Sequence, residues 1–568
     1  MKALTQFIVF LGMSLLTPAL AQAPFTRITV GEIVTDQEAS VAGAWTDYDN
    51  DGFIDLFVPN ILWAGVQGTN ALYHNNRDGT FTRVRTSPFT NDVGDFGAAG
   101  WGDYDNDGHP DLVVAVYSLD GRARNPVYHN NGDGTFTTVT NTIALTSNAA
   151  LATAWADYDS DGQLDLFVST EMTPEMPLTN SLFHNDGGGA FTRITAGDVV
   201  EDGGSQGAAW ADYDADGDLD LFVSNNGREF IPSLPYANNL FYLNEGNGNL
   251  VRQSLTNLTT DPGIAHGCAW GDYDNDGWPD LFVPQYSLDG RPRSLLYRNN
   301  RDGTFTRIPN GPIVTDIGDS IAGTWGDYDN DGHLDLFVSN RSTQRNFLYH
   351  NNGDGTFTKI TTGAPVTDSA YSFDCVWGDY DNDGFLDLFV ATGGNRQRQA
   401  NFLYRNNGNT NSWVVLKLVG TVSNRSAIGA KVRLRTTIWG QTVWQLREIS
   451  GGQNFGSQND PRAHFGLGDA TNVTTLRIEW PSGIVQELAN VAANQILTIT
   501  EPAQLVPLGP REFQIRCWKG MKFEVEKSLN LQAWNSLGMV TNVTGTLTFQ
   551  DTQGDPQAAC RFYRVVSR

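Results

Sequence analysis

The chain is poor in cysteine, in basic residues and in long apolar runs. Only four cysteines occur in 568 residues, so a disulfide framework cannot be what holds it together. Cys268 and Cys375 each stand two residues before a tryptophan in the same local pattern, which marks them as equivalent, buried and unpaired core positions. Cys517 and Cys560 share one small C-terminal region and are expected to form its single disulfide in an oxidising compartment. Lysine and arginine number 37 against 64 acids, and the net charge of -27 argues against nucleic acid as a partner. The long apolar run, residues 7–16, follows Lys2 and precedes the small-residue site Ala19-Leu20-Ala21. It is too short to span a bilayer and reads as a secretory signal peptide over residues 1–21. The mature chain is therefore expected to be soluble, without a membrane span, and secreted to the extracellular space, the cell surface or a periplasm. HExxH, CxxC and phosphate-cradling loops are also absent, which removes the common metalloprotease, thiol-redox and nucleotide chemistries.

What is present is aspartate at a fixed spacing. The stretch WTDYDNDGFIDLFV, residues 45–58, holds four aspartates and neither lysine nor arginine, so pairing with a basic side chain is excluded and a cation from outside the chain is expected to neutralise them. They occupy positions 1, 3, 5 and 9 of a loop with glycine at 6, an arrangement that wraps oxygen ligands around Ca²⁺, with the position-7 carbonyl as a further donor. An EF-hand would need glutamate at position 12 and flanking helices; here position 12 is Val58 and the flanks have strand character.

Seven copies occur, with tryptophans at 45, 101, 155, 210, 270, 325 and 377. The expected metal donors are Asp47, Asp49, Asp51 and Asp55 with the Phe53 carbonyl in the first, and Asp103, Asp105, Asp107 and Asp111 with His109 in the second. The third has Asp157, Asp159, Asp161 and Asp165 with Gln163, and the fourth Asp212, Asp214, Asp216 and Asp220 with Asp218. The fifth has Asp272, Asp274, Asp276 and Asp280 with Trp278, and the sixth Asp327, Asp329, Asp331 and Asp335 with His333. The seventh has Asp379, Asp381, Asp383 and Asp387 with Phe385. Up to seven Ca²⁺ are expected, and they would bring the charge of -27 to -13.

A second pattern keeps phase with the first. NALYHNNRDGTFTRV, residues 70–84, reads as strand, Asp-Gly turn and strand, so each repeat supplies four short strands. A four-stranded unit repeated about every 50 residues reads as a β-propeller blade, and seven units predict an all-β, seven-bladed propeller over residues 22–412. FTRI at Phe25 precedes the first tryptophan without a blade of its own, whereas the last repeat lacks such a strand. The first strand is expected to complete the last blade and remove the open edge. Residues 413–501 alternate apolar and polar positions and predict a compact β domain, residues 502–510 (PAQLVPLGP) a linker, and residues 511–568 a small β-sandwich-like domain.

The seven DxDxDGxxD loops resemble the FG-GAP and VCBS repeats of integrin α-subunit propellers. RSAIGAKV (425–432), SGGQNFGSQND (450–460), HFGLG (464–468) and IEWPSG (478–483) resemble the ASPIC and UnbV domain. The order of the two is similar to that of the cartilage acidic protein family and its bacterial relatives. The resemblance implies extracellular calcium-binding proteins with adhesion or matrix roles, and its metal ligands fall on the seven aspartate quartets.

The histidines do not suggest catalysis. His74, His129, His184 and His350 repeat one blade position and read as structural, and His266 and His464 have no nucleophile or second base beside them. The expectation is a non-enzymatic recognition module for an extracellular, possibly anionic, glycan or protein. Two alternatives are a calcium-dependent polysaccharide lyase acting on uronates with an Arg or Lys base, and a structural matrix protein. The loops between second and third strands, on the face away from the metal loops, carry Arg122, Arg124, Arg228, Arg291, Arg293, Arg341, Arg345, Arg396 and Arg398, with Trp63, Tyr117, Phe230 and Tyr286 among them. These arginines are the expected ligand face, through forked guanidinium contacts.

Overall fold

The computed structural model describes residues 24–567 except 62–67, 91, 118–123, 146–148, 172–178, 226–237, 255, 262–263, 287–292, 394–396, 510, 519–520, 530, 544–545 and 553–560. The expected signal peptide lies outside the described residues.

Each repeat folds into one four-stranded antiparallel sheet. In the first blade the strands are Ala44–Thr46, Asp55–Val58, Ala71–Asn75 and Phe81–Val84. The DLFV strand is buried on both faces, since its alternate residues pack on the two adjacent blades; this is why it carries no polar alternation after its aspartate. The seventh blade is closed by Phe25–Arg27, which pairs with Phe402–Asn406 in the register Phe25↔Asn406, Thr26↔Arg405 and Arg27↔Tyr404. Ring closure through the first strand is thus as the sequence predicts.

One asparagine per blade stitches the ring. Asn130, in the third strand of the second blade, donates from Nδ2 to the Tyr48 carbonyl of the first at 2.8 Å, and Asn75 does the same to Tyr380 at 2.7 Å across the closure. The equivalent bond is present at all seven junctions, at 2.7 or 2.8 Å. Such a buried amide would leave the Tyr carbonyl unpaired if it were lost, so the stitch contributes specificity as well as energy.

After the propeller, two sheets share one core. The first is Ala463–Gly468, Ser412–Val419 and Gln495–Thr500; the second is Gln441–Glu448, Lys431–Ile438, Asn472–Glu479 and Val485–Ala492. Val414, Leu416, Val432, Leu434 and Ile478 fill it, and the cluster runs on without a break into Tyr104 and Trp155 of the propeller. This second domain sits on the metal-loop face. Between its strands, residues 450–460 descend into the hub and meet the first strands of the blades. Trp155 N donates to Gly451 O, Ala99 N to Gly456 O and Trp45 N to Gln458 O, while Asn454 N and Asp460 N donate to the Cys268 and Trp377 carbonyls. Phe455 ends the plug, buried among Val41, Ile61, Tyr117, Leu151, Ile321 and Phe373. Gly456 holds φ 107 and lies where a Cβ would come within 2.1 Å of the Ala98 Cβ, so this turn of the plug requires glycine.

One expectation is corrected here. The stretch taken as a linker is structured, because Gln504–Gly509 pairs with Glu512–Arg516 as the first strand of the last unit. Cys517 is buried, with Asn542 Nδ2 3.2 Å from its Sγ; Cys560, its expected disulfide partner, lies outside the described residues. Cys268 and Cys375 are buried free thiols.

Candidate metal centres

Each metal loop joins the first two strands of its blade and is built by its own aspartates. The position-1 carboxylate accepts the glycine N–H at position 6 in every blade, at 2.7 to 3.2 Å. The position-5 carboxylate accepts the position-7 N–H in every blade, from Phe53, His109, Gln163, Asp218, Trp278, His333 and Phe385. Position 4 takes the left-handed conformation throughout, with φ between 56 and 60. Asparagine tolerates that conformation, and in five blades its side chain also donates to the position-6 carbonyl of the next loop, as Asn50 does to Gly108 at 3.0 Å. The third and fourth blades have Ser160 and Ala215 there.

The position-9 aspartate is the anchor. Asp55 is buried; its Oδ1 accepts Asn75 N at 2.8 Å and its Oδ2 accepts Tyr48 N at 3.3 Å, which ties the loop to the third strand. The same pair of bonds recurs at Asp111, Asp165, Asp220, Asp280, Asp335 and Asp387.

These acids converge. Asp47, Asp49 and Asp55 bring their oxygens within 4.8 Å of one another. At position 3, Oδ1 of Asp105, Asp159, Asp214, Asp274, Asp329 and Asp381 is buried with no hydrogen-bond partner, as is Oδ1 of Asp157 and Asp212 at position 1. A carboxylate oxygen hidden from water and unpaired is costly unless a cation meets it. The donor set is all oxygen at its centre and suits a hard cation of flexible coordination, Ca²⁺ before Mg²⁺.

The charge environment agrees. Burial, with the neighbouring acids, pushes the Asp272 carboxyl up to about 7 and Asp220 up to about 9. Burial also raises Asp55, Asp111 and Asp165 to about 7, and Asp379 to the same value, with histidine hydrogen bonds or Arg462 opposing it. Without metal these groups therefore hold protons that an unfolded aspartate, at about 3.9, would release. A folded pKa above the unfolded one gives stability that is full below about pH 4 and is lost as the pH rises through about 7. The buried His464, pushed down to about 4 by burial, opposes this below pH 6.5, but it is one group against several. Metal-stripped protein should melt at a higher temperature at pH 5.5 than at pH 8; a midpoint that is flat or falls toward pH 5.5 would show that the loop acids are not held this way.

Cations absent from the loop sequence arrive from elsewhere, which corrects the expectation that no basic side chain neutralises them. Lys417 Nζ lies 2.9 Å from Asp47 Oδ2, Lys431 contacts Asp212, and Arg462 donates to the Asp379 carbonyl at 2.8 Å, all from the second domain. Arg77, from the hairpin after the third strand, holds Asp51 at 2.7 Å. The repeated third-strand histidines are part of the site as well. His129 Nδ1 lies 3.0 Å from Asp111 Oδ1 and 3.4 Å from Asp105 Oδ2, with the same contacts at His74, His184 and His350. Sequence reasoning set them aside because repetition reads as structure; the signal was that the position holds His, His, His, Leu, Arg, His and Arg in the seven blades. His266 and His464 are both buried, against Gln206 and against the Gly384 carbonyl.

The expected ligand face is only partly described. Arg122, Arg228, Arg291 and Arg396, with Trp63 and Phe230, lie outside the described residues. Arg124, Arg293, Arg345 and Arg398 are exposed. Arg341 is corrected: it is buried, with its guanidinium 3.4 Å from the Tyr286 ring centroid. Tyr117 is buried under Phe455 instead of facing a partner. The acids between blades are engaged: Asp36 by Tyr73 and Arg83, Asp316 by Tyr349 and Lys359, Asp368 by Tyr404 and Arg27.

Comparison with known proteins agrees with this architecture. The FG-GAP-like repeat family matches residues 47–114, 103–168, 175–223, 229–283, 286–338 and 327–390, and the ASPIC and UnbV family matches residues 420–506. Cartilage acidic protein 1 of Mus musculus is 28% identical over 299 residues, covering 50% of this chain and 43% of that protein. The Homo sapiens protein is 26% identical over 356 residues, covering 60% and 43%. The chain thus spans less than half the length of these relatives. Among solved structures, BBS1N in complex with ARL6DN has a TM-score of 0.41 at 11% identity, covering 68% of this chain and 98% of that one.

Proposed function

Since the chain belongs to the family of FG-GAP-like repeat proteins and carries an ASPIC and UnbV domain, we propose that it is a calcium-bound, non-catalytic recognition module working outside the cell. The observation that carries this is the set of buried, unpartnered Oδ1 atoms in the loops of six blades. The four aspartates of each loop would hold the ion, and calcium there serves to bind strands together. No described helix is long and apolar enough to cross a membrane.

The second domain covers the metal-loop face, so recognition falls to the opposite one. Arg124, Arg293, Arg345 and Arg398 are exposed there, and the pairing of Asp36, Asp316 and Asp368 with their own cations leaves fewer free negative charges to oppose them. An acidic glycan or a carboxylate-bearing protein segment is the partner class that exposed guanidinium groups fit. A glycan and matrix-protein array probed with and without Ca²⁺ tests this. Binding should favour acidic members, and changing the four arginines to serine should abolish it while calcium-dependent melting persists. Binding that survives the quadruple change would refute the face assignment.

A further inference from the structure

Seven copies of one loop in one chain form an internal comparison, and one of the contacts at which they differ lies at the acids from the blade's own third strand. The third-strand residue just before the stitching asparagine lies against the acids of positions 3 and 9 or 5. In four blades it is histidine, with Nδ1 at 3.3 to 3.5 Å from position-3 Oδ2 and 3.0 to 3.3 Å from position-9 Oδ1. In the fifth and seventh blades it is arginine. Arg298 Nε is 2.7 Å from Asp274 Oδ2 and its Nη2 3.4 Å from Asp276 Oδ2; Arg405 makes the same pair with Asp381 and Asp383 at 2.6 and 3.3 Å. In the fourth blade it is Leu243, which has no donor to offer.

The two basic residues act on the same oxygen in different ways. Both take position-3 Oδ2 and leave Oδ1 of that carboxylate buried and unpartnered, in Asp105, Asp159 and Asp329 beside histidine and in Asp274 and Asp381 beside arginine. Both therefore aim one oxygen into the loop. The arginine does more: it also occupies Oδ2 of the position-5 aspartate, which closes bidentate coordination there, and it carries a full charge whose repulsion any bound cation must overcome. Histidine orients and keeps farther from position 5, with Nε2 of His129 and His350 at 3.9 and 4.0 Å from its Oδ2; in the first blade Arg77 of the hairpin takes Asp51 Oδ2 instead, at 2.7 Å. Leucine leaves position 3 unoriented, although Oδ1 of Asp212 and Asp214 remain buried and unpaired.

We propose that this residue is the positioning residue of each site, and that it sorts the sites into tight ones in the second, third and sixth blades, where histidine stands and no arginine takes position 5, and weaker ones in the arginine and leucine blades, the first blade joining the weaker set through Arg77. The inference rests on the calcium reading above. Outer-shell partners of this kind typically change metal affinity by about 10- to 100-fold.

The test is equilibrium dialysis of the metal-stripped full chain against radioactive calcium, counting tight sites. His184→Arg should remove one tight site and Leu243→His should add one; a gain cannot arise from damage to the fold. His184→Asn, which keeps an N–H donor, should retain the site, and His184→Leu should lose it by at least about tenfold in affinity. Equal numbers of tight sites in wild type, His184→Arg and Leu243→His would overturn the proposal while leaving calcium binding standing. Failure of the wild type to bind calcium at all would instead remove the reading on which it rests.

Discussion

Stripping calcium should lower the melting midpoint of this chain by about 20 °C. A ligand that binds only the folded state at ten times its dissociation constant adds about 1.4 kcal/mol per site by linkage. Seven such sites reach about 10 kcal/mol, comparable with the stability of a whole domain. At roughly 2 °C per kcal/mol for a unit of this size, the shift is of the order stated. The structure adds a reason for the loss to be cooperative. Each position-9 aspartate binds both its own loop and the third strand, as Asp55 does through Tyr48 N and Asn75 N, and Asn75 in turn holds the neighbouring blade. Loosening one loop therefore reaches the junction beside it. Melting followed by calorimetry in millimolar calcium and in chelator checks this, and superimposable curves would remove calcium from the account of stability.

Phe455→Ala should cost about 3–5 kcal/mol with calcium present, the range for deleting a buried aromatic ring. The residue belongs to the second domain in sequence but is buried among side chains of the propeller's hub. Its backbone neighbours supply acceptors for first-strand amides of different blades, including Trp45, Ala99 and Trp155. The loss should therefore register in the propeller: hydrogen exchange at those three amides should speed up together. An equivalent change at exposed Val30, which is 81% exposed, should fall within about 0.5 kcal/mol. Unchanged exchange at the three amides would show that the plug fills the hub without supporting it. Of the two changes, calcium removal is expected to be the larger, since it acts at every blade while the plug acts at the centre.

The legible part of this protein is what repeats. Trp, DxDxDGxxD and DLFV recur in phase because each blade needs the same first strand, turn and doubly buried second strand. Counting them therefore yielded the blade number, and Phe25 the closure. The metal quartets were readable for the same reason, since local spacing alone decides which carboxylates can converge. Two readings went astray where the reasoning leaned on composition: PAQLVPLGP has the prolines of a linker, yet Gln504–Gly509 is an edge strand, where proline is tolerated. Arg341 and Tyr117 stand in variable loop stretches, yet they are buried by packing that their neighbours in sequence do not show.

By itself, then, the sequence determined the all-β class, seven blades, their closure through the first strand and the aspartates that can hold metal. All of these follow from periods shorter than one blade. Only the tertiary structure decided what lies across those periods. It showed that residues 450–460 plug a hub built from blade strands as far back in the chain as Trp45, that Lys417, Lys431 and Arg462 meet loop residues of the first, fourth and seventh blades, and that the third-strand His, Arg or Leu faces the metal loop of its blade. The physical reason is that these contacts are made between surfaces brought together only once the ring has closed. Hydrophobic patterning specifies which face of a strand is buried but not which distant side chain will meet it.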